Sequence, residues 1–251
     1  MERWWSLVRE DFVLFLRRPP GNFFSLVMPV LALLGTGWVF GNAPTGAGGY
    51  GALDRTIPGQ LAGVIGATGL LVTPELLAAR RGLAGLGWAP GERLERVRLL
   101  SVPLLVAFVV AFLGAALVLA LGTLVFGMRA PLAPVAAALA FVLCCAAFLA
   151  LGAFVGALFP TPAVARIVEL VFFLLNLFLS GSAMPPDQLP APLQRLGLLL
   201  PLTHVRLLLD GVWFGDGWDG RALAVVGLLL PVAAALAVLA RRRWPVAVAG
   251  A

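Results

Sequence analysis

The sequence contains no lysine, a single histidine and two cysteines in 251 residues, and only 12% of it is charged. Each shortage removes a class of function. Without lysine there is no G-x-x-x-x-G-K-[ST] loop, so no ATP site built on a Walker lysine is present in this sequence. The run GAGGYG at 46–51 has no lysine after it and reads as a flexible turn rather than a phosphate cradle. His204 stands alone, with no second histidine and no nearby cysteine, and gives no metal-ligand set. Cys144 and Cys145 are adjacent inside an apolar run, the setting of small buried residues and not of a disulfide framework. Ser180, Ser182, His204 and Asp210 have no nucleophile-elbow context. The expectation is a chain that is not an enzyme and binds no metal or cofactor of its own.

What is present is hydrocarbon. The chain is 61% hydrophobic with a mean hydropathy of +1.00, far too apolar for the surface of a water-soluble domain. All 18 basic residues are arginine and the net charge is +6. The arginines gather at the ends of apolar runs, which writes membrane topology and gives no reason to expect a nucleic-acid partner. No cleavable signal peptide is expected, because aromatic and charged residues are mixed at the N-terminus.

Residues 3–18, RWWSLVREDFVLFLRR, have helical amphipathic spacing, with Trp4, Val8, Phe12 and Phe15 on one side and Ser6, Arg9, Glu10 and Arg17 on the other. Asp11 spoils the apolar edge. Such a helix is expected to lie in the membrane interface until Pro19, Pro20 and Gly21 break it. Six apolar runs follow, at about 22–40, 57–78, 99–126, 134–158, 167–180 and 222–240, most near the roughly 20 residues a span requires. The fifth is short unless it continues to Met184. The turn around Gly127–Pro131 makes spans 3 and 4 an antiparallel pair. With the N-terminus inside, 13 of the 18 arginines fall on the inner side, so both termini are expected to be cytoplasmic. The predicted organisation is one all-α integral membrane domain over 1–251. It has an interfacial helix at 1–21, spans 1–5 at 22–180, an extracytoplasmic segment at 181–221, span 6 at 222–240 and a cytoplasmic tail at 241–251.

Two segments break the hydrocarbon pattern. In 180–206, SGSAMPPDQLPAPLQRLGLLLPLTHVR, the prolines at 185, 186, 190, 192 and 201 exclude a regular span. The pieces 192–200 and 202–214 are each two or three helical turns. They read as a re-entrant helical hairpin between spans 5 and 6, or else as a surface loop with a helix resting on lipid; backbone at that depth needs protein or a water-filled cavity over it. In 75–98, ELLAARRGLAGLGWAPGERLERVR, positive-inside charge accounts for the arginines but not for Leu83, Leu86 and Trp88 in a polar loop. Those residues read as anchors for a partner's groove.

The order of these parts resembles the membrane subunit of a type-2 ATP-binding-cassette exporter, over nearly the whole chain. Its most specific part is Ser180-Gly181, Pro185/Pro186, Leu189-Pro190 and Pro201-Leu202-Thr203-His204, similar to the "SG…P…LP…PLT(H/Y)" signature of drug and polysaccharide export permeases. Arg80-Arg81-Gly82 followed by Ala89-Pro90 resembles the family's coupling region. The family's glutamate beside the arginine is missing, and Glu75 is the acid expected to stand in for it. The resemblance implies two permease copies, alike or different, in a plasma (inner) membrane, with ATP and Mg on separate ATPase subunits. It implies ATPase coupling through Arg80, Arg81, Gly82, Leu83, Leu86, Trp88 and Pro90, and an outer cap made by Gly181, Pro185, Pro190, Pro201, Thr203 and His204.

Other residues are open to two readings. Arg166 and Glu169, at i,i+3, are either an interface ion pair or part of a gate, and Glu75 either ends a helix or makes a gating contact. Asn176 either lines a pathway or joins two protomers. The Gly59/Gly63 and Gly152/Gly156 pairs permit close helix packing, though such pairs arise readily among 29 glycines. Few polar side chains in the spans favour a hydrophobic or amphipathic cargo such as a drug, lipid or lipid-linked glycan. The alternatives are a stand-alone secondary transporter or channel, for which internal repeats and midplane charges are missing, and a membrane enzyme.

Overall fold

A computed structural model describes residues 2–17, 19–44, 49–85, 93–158, 162–183 and 189–242. All regular structure among them is helical. In chain order the helices are α1 (Glu2–Leu16), α2 (Pro20–Phe40), α3 (Ala52–Ala67, continued through Thr68–Val72 into Thr73–Gly85), α4 (Arg93–Phe126), α5 (Pro134–Leu158), α6 (Pro162–Leu179), α7 (Ala191–Gly197), α8 (Pro201–Phe214) and α9 (Gly220–Arg242). Among the described residues, five stretches are long and apolar enough to cross a membrane: Pro20–Phe40, Ala52–Arg80, Ser101–Phe126, Pro134–Leu158 and Gly220–Ala237. This is a multi-span helical bundle.

The predicted fifth span is not among the five. Helix α6 has 18 residues and ends in a turn at Ser180–Ala183 instead of running on to Met184. Its first turns carry Arg166 and Glu169, which leaves an apolar part of only about 15 Å at 1.5 Å per residue. Counted on the five, the bent element α7–α8 therefore lies between the fourth and fifth candidate spans, not between a fifth and a sixth.

Helix α3 is the axis of the bundle. Its membrane-length window is 89% buried, against 22% for α2 and for α9. Leu53, Ile57, Leu61, Ile65 and Leu70 pack with Val118 of α4, Cys144 and Phe148 of α5, Phe173 of α6, and Leu202 and Trp213 of α8. Glycines permit this crowding. Gly59 lies on the backbone of Ser182, Gly63 on Leu177, and Gly66 on Leu202 and Phe173. Gly152 lies on the Gly69 backbone and Gly156 on Pro74, so both glycine pairs seen in the sequence are used, because a glycine lets a neighbouring helix approach closely.

Two π-helical turns, Phe23–Val27 in α2 and Thr68–Val72 in α3, share one cause. Each ends two residues before a proline, Pro29 or Pro74. A proline inside a helix supplies no N–H and its ring crowds the preceding turn, so that turn widens. The Met28 and Thr73 N–H groups accordingly donate five residues back, to the Phe23 and Thr68 carbonyls. Each widened turn presents a carbonyl oxygen to a glycine of another helix. A Cβ on Gly114 would strike the Ser25 oxygen, and one on Gly152 would run into the Gly69 oxygen.

Helix α1 packs on the bundle. Phe15 is buried with Val72, Leu76, Val102, Val106 and Val110, while Trp4, Val8 and Phe12 are half-buried beside them. The apolar face expected to meet lipid is therefore largely covered by α3 and α4, and what stays exposed is the strip with Trp5, Val13 and Leu16.

Candidate functional site

Three polar clusters stand out, two near the Gly85 end of α3 and one at the bend between α7 and α8. At the first, Arg80 is only 7% exposed, and its guanidinium points back at α1. One nitrogen lies 2.8 Å from Asp11 Oδ1, another 3.3 Å from Glu10 Oε2, and a third contact donates to the Leu7 carbonyl oxygen at 2.9 Å. Asp11, the residue that marred the apolar edge of α1, is itself buried and is the partner that Arg80 needs. Burial pushes the Asp11 carboxyl up from its ordinary range, and the Arg80 guanidinium pulls it partly back. The predicted coupling residue Arg80 thus joins α3 to α1. Arg81, Gly82 and Leu83 continue α3 in its last turns. Leu86, Trp88 and Pro90 lie outside the described residues.

At the second cluster, Arg166 Nη2 lies 3.6 Å from Glu75 Oε1. Glu75, expected as a stand-in acid for the Arg80-Arg81 pair, instead meets α6. Glu169 is buried on the same helix, next to Gly156, whose own close neighbour is Pro74. The structure sets Arg166 beside Glu75, an acid that the sequence had as separate from the local Arg166/Glu169 pair.

The third cluster is the bend. Helices α7 and α8 meet at 85°, the bent helical pair expected here, in the form of an elbow. Pro201 starts α8 where its missing N–H costs nothing. Only α8 enters the bundle; α7 is exposed from Ala191 to Leu196. Thr203 Oγ1 donates to the Gly197 carbonyl and His204 Nε2 lies 3.1 Å from the Leu198 carbonyl, closing the elbow from within. Asn176, fully buried in α6, holds it from outside. Its amide donates to the Phe172 carbonyl at 2.9 Å, and its Oδ1 accepts from the Leu202 N–H at 3.3 Å. Arg206 donates to the Ser180 carbonyl at 2.9 Å and pairs with Asp210 one turn on. Asn176 therefore acts within the chain, satisfying an N–H at the start of α8 that hydrocarbon could not. Gly181 takes a left-handed conformation (φ 80°) in the turn before this element, and Pro190 precedes α7. Pro185 lies outside the described residues.

Two features went unread in the sequence. Asp54, 1% exposed, accepts from the Gly51 N–H (3.0 Å), the Asn42 amide (3.1 Å) and the Arg129 N–H (3.1 Å), tying the α2–α3 connection to the α4–α5 connection. An acid three residues into a helix after a glycine is a legible capping signal. The Arg206/Asp210 pair at i,i+4 was a second available signal. Among the described residues, no group of His, Cys, Asp and Glu could hold a metal ion.

The profile of a family described as ABC-2 family transporter protein matches residues 93–241, more than half of the chain. The chain belongs to the ABC-2 transporter family. Its match begins with α4 and takes in the elbow and α9, so the Asn176–Leu202 and Arg206–Ser180 contacts lie inside the part that this ABC-2 chain shares with its family. No curated protein matches the chain.

Proposed function

We propose that this chain is the permease subunit of an ATP-driven exporter and works as a single domain of six spans, α6 counted with the five longer helices. Two copies, of this chain or of this chain and a relative, line the pathway in a plasma (inner) membrane. Separate ATPase subunits, holding ATP and Mg, dock at the connection between α3 and α4, where Leu86, Trp88 and Pro90 lie. Both termini face the cytoplasm and the elbow caps the opposite mouth. Family membership carries the transport reading. The coupling reading is supported by the Arg80–Asp11 pair, since any displacement of the α3–α4 connection would reach α1 through it. Glu75–Arg166 would transmit the same displacement to α6. The cargo is hydrophobic or amphipathic, a drug, lipid or lipid-linked glycan, in keeping with spans that hold few polar side chains.

Co-purification in mild detergent tests this reading. A Walker-motif ATPase should accompany the wild-type chain and be lost with Leu86→Ala plus Trp88→Ala. Retention by the double variant would move the docking site elsewhere. Absence of any ATPase after crosslinking in native membranes would favour a stand-alone transporter.

A further inference from the structure

Between α1 and α4 runs an open groove of about 230 Å³, walled by Trp5, Val8, Phe12, Leu105, Val106 and Val109, with Arg9 as its one charged residue among the described residues. The walls are continuous with exposed hydrocarbon. Trp5, Leu105 and Val109 are partly open, and Phe112 one turn further along α4 is 60% exposed. Leu105 and Val109 lie roughly 6 and 12 Å into the span that starts at Ser101, at 1.5 Å per residue. A groove at that depth, beside an amphipathic helix, is where acyl chains begin below the headgroups.

The charge around it is uneven for a specific reason. Helix α1 carries two acids next to Arg9, and Arg80 takes both: Asp11 at 2.8 Å and Glu10 at 3.3 Å. Arg9 is exposed and has no ion pair among the described residues. The groove therefore offers an apolar trough for a chain, an indole at its edge and a guanidinium with no ion pair among the described residues. Arginine matches phosphate with paired N–H donors.

We infer that this groove binds one acyl chain of an anionic phospholipid, with Arg9 holding its phosphate. This rests on α1 lying at the membrane interface, the placement its amphipathic spacing predicts. The bound lipid would cement α1 to α4 on the face opposite the Arg80–Asp11 pair, so that headgroup charge tunes how firmly α1 follows α3.

The test uses the full chain in phosphatidylcholine vesicles that contain brominated phosphatidylglycerol or, separately, brominated phosphatidylcholine. The Trp5 fluorescence is obtained by difference from Trp5→Phe. Half-quenching is expected at an about fivefold lower mole fraction of the anionic lipid, the preference one arginine near an anionic headgroup supplies. Arg9→Gln should abolish the preference, Arg9→Lys should keep most of it, and Arg17→Gln should leave it unchanged. Half-quenching at equal mole fractions of the two lipids would overturn the inference while leaving α1 at the interface. Equal loss in Arg9→Gln and Arg17→Gln would overturn it in favour of diffuse surface charge. Quenching of Trp5 by neither lipid would remove α1 from the interface and take the inference with it.

Discussion

The two ends of α3 are held by different kinds of interaction. At the Ala52 end, Asp54 accepts two backbone N–H groups and the Asn42 amide, and Gly59 sits on the backbone of Ser182. At the Gly85 end, the links between separate helices are mainly ion pairs, Arg80 to Asp11 and Glu10 and Glu75 to Arg166, with one hydrogen bond from Arg80 to the Leu7 carbonyl. Backbone hydrogen bonds weaken steeply with angle, so they fix a helix in one place. Charge attraction falls slowly with distance and has little directionality, so an ion pair survives a shift of its partners. One end of the axis is thus an anchor and the other a compliant joint. In the exporter reading the joint is the end beside the ATPase, where movement is required.

The comparison breaks most severely at Arg80. Arg80→Gln leaves the buried Asp11 carboxylate without its cation, a change worth about 3–5 kcal/mol. The cost should depend on pH. Without Arg80 the folded-state value of Asp11 rises further above its unfolded value, so stability is retained below the unfolded carboxylate range and lost as pH rises through the folded value. Thermal unfolding in detergent at acidic and neutral pH would show this, and an equal loss at both would contradict it. Asp11→Asn should cost less, because an amide needs no counter-charge and Arg80 keeps Glu10 and the Leu7 carbonyl.

Asp54→Ala comes next, at about 2–3 kcal/mol, since it strands two N–H groups and an amide near the other end. If that end is the anchor, the variant should also admit protease into the 41–51 connection, whereas Arg80→Gln should not. Asn176→Leu should cost about 1–2 kcal/mol by orphaning the Leu202 N–H. Limited proteolysis near 189–200 would register the loosened elbow, and unchanged cleavage would mean that Thr203 and His204 suffice to hold it. Arg166→Gln should be smallest, below about 1 kcal/mol, because Arg166 is more than half exposed. Its readout is coupling: with an ATPase partner bound, cargo-stimulated hydrolysis should fall while the melting temperature barely moves.

The sequence was most legible where hydrocarbon length decides the outcome. Runs at 22–40, 57–78, 99–126, 134–158 and 222–240 correspond to five membrane-length helices, because some 20 apolar residues without charge have few other stable arrangements. The run at 167–180 was harder, since Glu169 near its start and a turn at Ser180 shorten it. Proline placement announced the break at 190–201 but not its angle, because proline removes donors without saying where the chain goes next.

Pairings were beyond local pattern. Arg166 had Glu169 within one turn, but nothing local told that Glu75 of α3 would lie beside it, and Asp11 looked like a blemish until Arg80 arrived from 69 positions along the chain. Composition and periodicity settle that this chain is helical, lies in a membrane and keeps its few charges near helix ends, because burying a polar backbone or a lone charge in hydrocarbon is prohibitive. Which helix becomes the axis, and which acid answers which arginine, depends on how glycines let the helices approach, and that is known only once α3 has been packed on all sides.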